Sequence, residues 1–158
     1  MSDNSPIYRL TIPASPMRLK RNRDAVMVFD SIRRRYVRLT PEEFVRQQFT
    51  SWMVNSLHYP HSLLANEIGI RLNGTLKRCD TVVFNNDTSI LMIIEYKAPE
   101  VSITQEVFNQ IVRYNMVLKA DYLVVSNGLH HYCCKMDYNK ETYAFLTAVP
   151  DYRDIAVR

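Results

Sequence analysis

Ile90-Leu91-Met92-Ile93-Ile94-Glu95-Tyr96-Lys97-Ala98-Pro99 is the stretch on which the fold turns. Its first five residues are apolar without alternation. That is the pattern of a central strand covered by helices on both faces, and Pro99 stops it. Before it, Asn73-Gly74 and Asn85-Asn86-Asp87-Thr88 are turn chemistry, so 65–72, 79–84 and 90–97 read as a three-strand meander. Further upstream, Thr40-Pro41-Glu42-Glu43 is a helix start, with Thr40 as cap, Pro41 at the first helical position and Glu43 completing a capping box. Phe44, Val45, Phe49, Trp52, Met53 and Leu57 then recur at helical spacing, which predicts an amphipathic helix over 41–57. Downstream, Ser102-Ile103-Thr104-Gln105 is a second capping box, opening a helix to about Leu118 with Ile103, Val107, Ile111 and Leu118 inward. A buried strand over 122–126 follows. Asn127-Gly128 turns the chain back along 129–136, and 143–149 adds an edge strand. The fold class is α/β, a central mixed β-sheet flanked by helices.

Pro6, Pro13 and Pro16 make residues 1–24 an extended basic arm. Residues 26–29 and 36–39 form a hairpin around the charged turn 30–35. The expected organisation is this arm, a single domain over 25–150, and a tail over 151–158 with no readable structure. A chain of 158 residues is long enough for one domain with a real core. At 47% apolar and 23% charged, collagen-like, low-complexity and wholly disordered classes are excluded. The apolar runs end after five residues, against the ~20 of a membrane-spanning helix. The opening Met1-Ser2-Asp3-Asn4-Ser5-Pro6 has neither a basic flank nor an apolar stretch, so no signal peptide is expected. Three cysteines, two of them adjacent (Cys133, Cys134), make a poor disulfide framework, and the expected location is the cytoplasm.

The net charge of +4 is unevenly spread. Through Arg38, nine Lys/Arg stand against three Asp, leaving +6, and the remainder of the chain carries −2. A basic N-terminal region beside a slightly acidic body suits a polyanion, because neutralised phosphates release counterions. The alternative is a solvated β-ribbon with charged outer residues. Arg33-Arg34-Arg35 is accordingly either a phosphate clamp, with Arg38 and Arg78 beside it, or a solvated turn.

One polar cluster interrupts the apolar scaffold. Glu95 and Lys97, two residues apart on a strand, share a face. If the turn at 85–88 sets an even register, Asp80 faces the same way as Ile93, and so as Glu95 and Lys97. Burying uncompensated charge costs several kcal/mol, so such groups are paired, metal-bound or at a cleft. Two carboxylates, the Tyr96 carbonyl and waters make a Mg²⁺ or Mn²⁺ site, with Lys97 orienting the water or steadying charge on a phosphate. The plain alternative is a buried Asp80–Lys97 or Glu95–Lys97 ion pair without chemistry. Glu67, one hairpin away, is a further metal-side carboxylate. Gln110 and Tyr114 share one face of the second helix and can reach the phosphate or the water, while Arg113 and Asn115 are expected to face solvent.

Asp80, then Glu95-Tyr96-Lys97 after an apolar run, then Gln110-x-x-x-Tyr114, resembles the PD-(D/E)XK nuclease superfamily in the branch with a QxxxY motif. The resemblance extends through Phe29-Asp30, Arg38-Leu39-Thr40-Pro41-Glu42-Glu43-Phe44-Val45-Arg46-Gln47, Lys77-Arg78-Cys79-Asp80, Glu95-Tyr96-Lys97-Ala98-Pro99 and Ser126-Asn127-Gly128. Together these are similar to the family related to the N-terminal nuclease domain of type I restriction enzyme R proteins, over residues 25–150. The resemblance implies a restriction-endonuclease-like core and a Mg²⁺- or Mn²⁺-dependent DNA phosphodiester hydrolase. Asp80 and Glu95 would be metal ligands, Lys97 would act at the attacking water, Glu67 would be the early acid, and Gln110 and Tyr114 the helix pair. DNA is the implied partner, with restriction or repair subunits as further partners. The alternative is a weak or inactive member that binds nucleic acid as a subunit of such an assembly. Cys79 stands before Asp80 where the family carries proline, and Tyr96 is bulkier than the small residues common between the acid and the lysine.

His130-His131-x-Cys133-Cys134 does not read as a zinc site, because strand alternation sends His130 and Cys134 one way and His131 and Cys133 the other. His58 and His61, which flank Pro60, read as loop residues.

Overall fold

The computed structural model describes residues 8–157. Residues 1–7 of the expected arm, with Pro6, and Arg158 of the tail lie outside it. Strands β1 (Leu19–Asn22), β2 (Ala25–Asp30) and β3 (Arg35–Arg38) form a three-stranded antiparallel sheet. Helix α1 (Pro41–Ser56) follows, and a 3-10 turn at His61–Leu63 leads into β4 (Leu64–Leu72), β5 (Thr75–Phe84) and β6 (Ile90–Tyr96). Helix α2 (Gln105–Leu118) then crosses to β7 (Tyr122–Ser126), β8 (His131–Asp137) and β9 (Thr142–Phe145), and a short α3 (Tyr152–Ile155) ends the described chain. The second sheet has the order β4-β5-β6-β7-β8-β9, with β6 and β7 parallel and the other pairs antiparallel.

The two faces of this sheet carry separate cores. Val45, Phe49 and Met53 of α1 pack on Met92, Ile94 and Val124, and Phe108, Val112 and Leu118 of α2 pack on Val82, Ile93 and Leu123. The central strand β6 is therefore covered on both sides, as its unalternating apolar run requires. Thr40 caps α1 by accepting a hydrogen bond from the Glu43 N–H at 3.0 Å, but the expected capping box is not closed. The Glu43 carboxylate instead accepts from Arg33 and Gln47. On α2 the cap is Thr104, not Ser102, and its hydroxyl accepts from Val107 N–H at 3.2 Å. The inward face is correspondingly rotated onto Phe108, Val112, Asn115 and Leu118, so Asn115, expected in solvent, is buried.

The described parts of the arm and the tail are built into the fold. Residues 19–22 are strand β1, and upstream of it Ile12 enters the α1-side core. Ser15 exchanges two hydrogen bonds with the Gln48 side chain at 2.8 and 3.0 Å. This covering buries Gln48, while Gln47 and Thr50, also buried on the polar side of α1, bond within the helix to Glu43, Arg46 and Gln47. Thr11 donates its N–H to Gly128 O at 3.0 Å, and a Cβ on Gly128 would meet the Leu10 side chain at 2.6 Å, which glycine alone avoids. Asp151 caps α3 and meets His58 at 2.7 Å, docking the tail on the end of α1. His131 bridges Ser126 and Thr11, and Cys133 and Cys134 enter opposite cores. No helix among the described residues is long and apolar enough to cross a membrane.

A buried polar chain ties the small sheet to the large one. Arg33 donates to Asp30 and to Glu43, and Asn66 donates to Asp30 at 3.0 Å. The Thr81 hydroxyl donates to Asn66 at 2.7 Å and accepts from the Tyr96 hydroxyl at 3.0 Å. Burial opposes ionisation of Asp30, but hydrogen bonds from Asn66, Arg33 and the Ile32 N–H outweigh it and hold the carboxyl below its ordinary value. A carboxylate with a depressed folded-state pKa contributes stability above its unfolded value and loses it as the pH falls through the folded one. Asp30→Asn is therefore expected to cost about 3 kcal/mol at neutral pH, roughly 6–12 °C in Tm. That gap should narrow below about pH 4. Thermal melts of both proteins from pH 7 to pH 3 check this, and a gap that does not change with pH contradicts it.

Candidate active site

Strand residues two apart share a face, but β4 and β5 break that rule together. Asn66 and Thr81, paired across the two strands, belong to the polar chain on the α1 side, while the next-but-one pair, Ile68 and Cys79, packs in the α2-side core. The inversion occurs at Glu67, which has left-handed backbone at φ 52°, and at Asp80 opposite it. Between β5 and β6 the ladder runs in the expected register, Val82 against Ile93, and ends at Thr81–Ile94. The register thus agrees with expectation, but Asp80 does not stand on the α2 face above Ile93. It lies at the inversion, at the end of the ladder, where its Oδ2 accepts the Tyr96 N–H at 2.9 Å in place of a strand carbonyl.

This position brings the two acids together. Glu95 projects into an open cleft on the α2 side, with the Asp80 carboxyl near enough to bear on its charge. Burial and then the neighbouring Asp80 charge push Glu95 up to about 9, Lys97 pulling the other way and Glu42 adding to the rise. A carboxyl whose proton affinity is raised by burial and a neighbouring acid, as that of Glu95 is, is what a divalent cation relieves. The N–H and C=O of one strand residue point the same way, so the Tyr96 carbonyl opens toward Asp80. Among the described residues, no three of the His, Cys, Asp and Glu side chains are grouped to close on one ion. Two carboxylates with a carbonyl, waters and substrate oxygens is the donor set Mg²⁺ commonly takes, so Asp80, Glu95 and Tyr96 fit it.

Lys97, Gln110 and Tyr114 line the same cleft as Glu95, a space of about 410 Å³ between α2 and the sheet. The Lys77 ammonium lies 3.9 Å over the exposed Tyr114 ring at its rim. The ion pairs among the described residues here run from Arg33, Arg46 and Arg78 to Asp30, Glu43, Glu67 and Asp80, leaving Lys97 outside them. The buried Asp80–Lys97 or Glu95–Lys97 pair considered from sequence is not formed.

Glu67, expected as a further metal-side carboxylate, is paired with two arginines. Its left-handed backbone directs it to Arg46 at 2.5 Å and Arg78 at 2.7 Å, and although burial opposes ionisation, Arg46 and then Arg78 hold its carboxyl below the ordinary range. Arg46, buried on α1, also reaches Glu43 at 3.6 Å and Asp80 at 3.9 Å, and its Nε and Nη1 have no hydrogen-bond partner. Arg33, expected in a phosphate clamp, is instead half-buried against Asp30 and Glu43 and holds the β2–β3 turn on α1. Arg34, Arg35 and Arg38 are exposed, as is the guanidinium end of Arg78. Sequence reasoning missed Arg46 and Glu42. The latter is raised by burial and then by the Asp80 charge, and it lines a second cleft of about 590 Å³ with Arg38, Arg46 and Glu67. Both residues stand in Pro41-Glu42-Glu43-Phe44-Val45-Arg46, where a cap and apolar periodicity hide charges aimed at the site.

A solved chain described as a "putative HsdR subunit of a type I restriction enzyme", from Vibrio vulnificus YJ016, has a similar fold, with a TM-score of 0.52 at 17% identity over 74% of this chain. This chain spans 24% of that one. No curated protein matches it. The family described as the type I restriction enzyme R protein N terminus matches residues 41–150, from the start of α1 through β9, and the chain belongs to that family.

Proposed function

We propose that this protein is a Mg²⁺- or Mn²⁺-dependent DNA phosphodiester hydrolase. The observation that carries the reading is the nearness of Asp80 to Glu95 at the parted end of β5 and β6, with Glu95 and Lys97 lining an open cleft. Asp80, Glu95 and the Tyr96 carbonyl would hold the cation, which supplies a lowered water pKa and charge neutralisation at the phosphate. Lys97 donates hydrogen bonds to the attacking water and to a non-bridging phosphate oxygen, fixing the water in line with the scissile bond. Gln110 and Tyr114 contact the phosphate flank from α2. The new bond from water oxygen to phosphorus forms as the bridging P–O bond opposite it breaks, the attacking water's proton passing to solvent and the leaving oxygen taking one from solvent. Arg46 and Glu67 act one step back, as positioning residues that keep Asp80 at the strand end. Arg34, Arg35, Arg38 and Arg78 would contact DNA phosphates, and other subunits of a restriction or repair assembly would be further partners.

One observation favours a second reading, a nucleic-acid-binding subunit of weak or absent activity: Glu67 is held by two arginines, leaving two carboxylates for the cation. Cleavage separates the readings. Wild type is expected to cut plasmid or single-stranded DNA in Mg²⁺ or Mn²⁺. Lys97→Ala and Asp80→Ala are expected to lower the rate by ~10² or more while still folding cooperatively. Equal cleavage by wild type and Lys97→Ala overturns the hydrolase. DNA affinity measured against salt tests the interface: Arg34→Ala with Arg35→Ala should flatten the slope of log K on log salt by about 2. Arg33→Ala should act through stability instead, and an unchanged slope for the Arg34/Arg35 pair removes the turn from the interface.

A further inference from the structure

The family match begins at residue 41, beyond the β1–β3 sheet, whose outer face takes no part in the acid site. Strand alternation turns Val28 and Asp30 inward, where both are buried, and so sends Met27 and Phe29 outward. Pairing of Lys20 and Arg38 with Met27, and of Tyr36 with Phe29, adds those side chains to the same face. The Phe29 N–H donates to Arg18 O at 2.8 Å, which brings Arg18 into the Phe29–Tyr36 row. Phe29 and Tyr36 are half-buried but belong to neither core. Their rings meet edge to face, 5.3 Å between centroids. Over them lie the Lys20 ammonium, 4.0 Å from the Tyr36 centroid, and the Arg18 guanidinium, 5.3 Å from Phe29 and 5.9 Å from Tyr36. Arg18, Lys20 and Arg38 are exposed, and among the described residues none of the three enters an ion pair. No acid stands on this face.

We propose that this face is a platform for single-stranded DNA, on which a base stacks on Tyr36 while Arg18, Lys20 and Arg38 hold the neighbouring phosphates. The proposal rests on DNA being the ligand and adds its class: a strand unpaired where it crosses the small sheet. Aromatic rings set among cations on an open sheet face are the plan of sites for unpaired strands, where rings take base faces and cations take the backbone. A duplex keeps its base faces inside the stack and has none to offer Tyr36. Lys20 leaves the ring readily, because an exposed cation–π contact is worth less than base–aromatic stacking with a phosphate taken up by the freed ammonium. An anionic lipid surface would instead call for apolar side chains projecting past the cations, and here the cations lie over the rings. Arg38 also lines the second cleft with Glu42 and Arg46, and Arg46 stands 3.9 Å from Asp80, so the platform adjoins the acid site.

The test is fluorescence anisotropy in EDTA, where nothing is cut, with an oligothymidylate of about twelve nucleotides and an abasic strand of equal length. Wild type should prefer the oligothymidylate by about 10-fold, the worth of roughly one stacked base. Tyr36→Leu, which keeps an apolar side chain without a ring face, should bring that preference to within about 2-fold and leave the abasic affinity unchanged. Tyr36→Phe should restore the wild-type preference. Arg18→Gln with Lys20→Gln should weaken both strands and flatten the slope of log K on log salt by about 1.4. Wild type cross-linked to a strand carrying iododeoxyuridine needs no variant, and its adduct should map to Phe29 or Tyr36. An absent preference in wild type, a preference retained in a folded Tyr36→Leu, or adducts at other elements alone overturns the proposal. Binding to phosphatidylserine vesicles that Tyr36→Leu abolishes, with strand affinity unchanged, overturns it in favour of a membrane. A base preference lost in Tyr36→Leu, found in a wild type that never cleaves, keeps the platform and removes only the hydrolase. Cleavage by a protein without the preference removes only the platform.

Discussion

Left-handed backbone at Glu67, in the middle of a strand, is the constraint from which the site follows. Such a conformation costs a non-glycine residue about 1–3 kcal/mol and persists only where the surroundings over-determine it. Here the compensation is visible in the two guanidiniums, Arg46 from α1 and Arg78 from β5, that engage the Glu67 carboxylate. At that point the inward-facing residues of β4 and β5 change sides, and Asp80 is left at the strand end instead of on a face. A straight pair of strands would have sent Asp80 up among the apolar residues of the α2-side core. The inversion gives it a main-chain donor at Tyr96 and a neighbour in Glu95.

Below the site, the chain from Arg33 and Asp30 through Asn66 and Thr81 to Tyr96 fixes the strand that carries both Glu95 and Lys97. Every member of the Asp30–Asn66–Thr81–Tyr96 segment is buried, and each finds a partner. A fully satisfied polar network of this kind selects one arrangement of the core, because displacing a member strands its partner in a low dielectric. The small sheet thus serves as more than a basic appendage. It anchors β4 and β6 through Asp30 and closes over α1 through Arg33 and Glu43. The positive charge near the N-terminus is consequently divided between Arg33, which is structural, and neighbours that stay in solvent.

The helices and strands were legible because their signals are local. Thr40-Pro41 starts α1, Asn127-Gly128 ends β7, and the unalternating run of β6 requires cover on both faces. The acid–acid–lysine grouping was legible from spacing and register, since Glu95 and Lys97 share a face and Val82–Ile93 pairing brings Asp80 close. What stayed hidden depends on tertiary contact. The burial of Gln48 comes from the arm lying over α1, and the inversion at Glu67 is held by arginines that are 21 residues upstream and 11 downstream. Sequence alone points Asn115 to solvent because polar character and exposure usually coincide. The packing of Phe108, Val112 and Leu118 on the sheet puts it inside.

The central claim is that the parted end of β5 and β6 is a seat for a divalent cation. A crystal soaked in Mn²⁺ and measured at the manganese absorption edge addresses it without DNA or catalysis. The account predicts an anomalous peak within coordinating distance of both the Asp80 and the Glu95 carboxylates, at about 2.0–2.4 Å, and its loss in Asp80→Asn. No peak there, or one held by other side chains with Asp80 still beside Glu95, would contradict it.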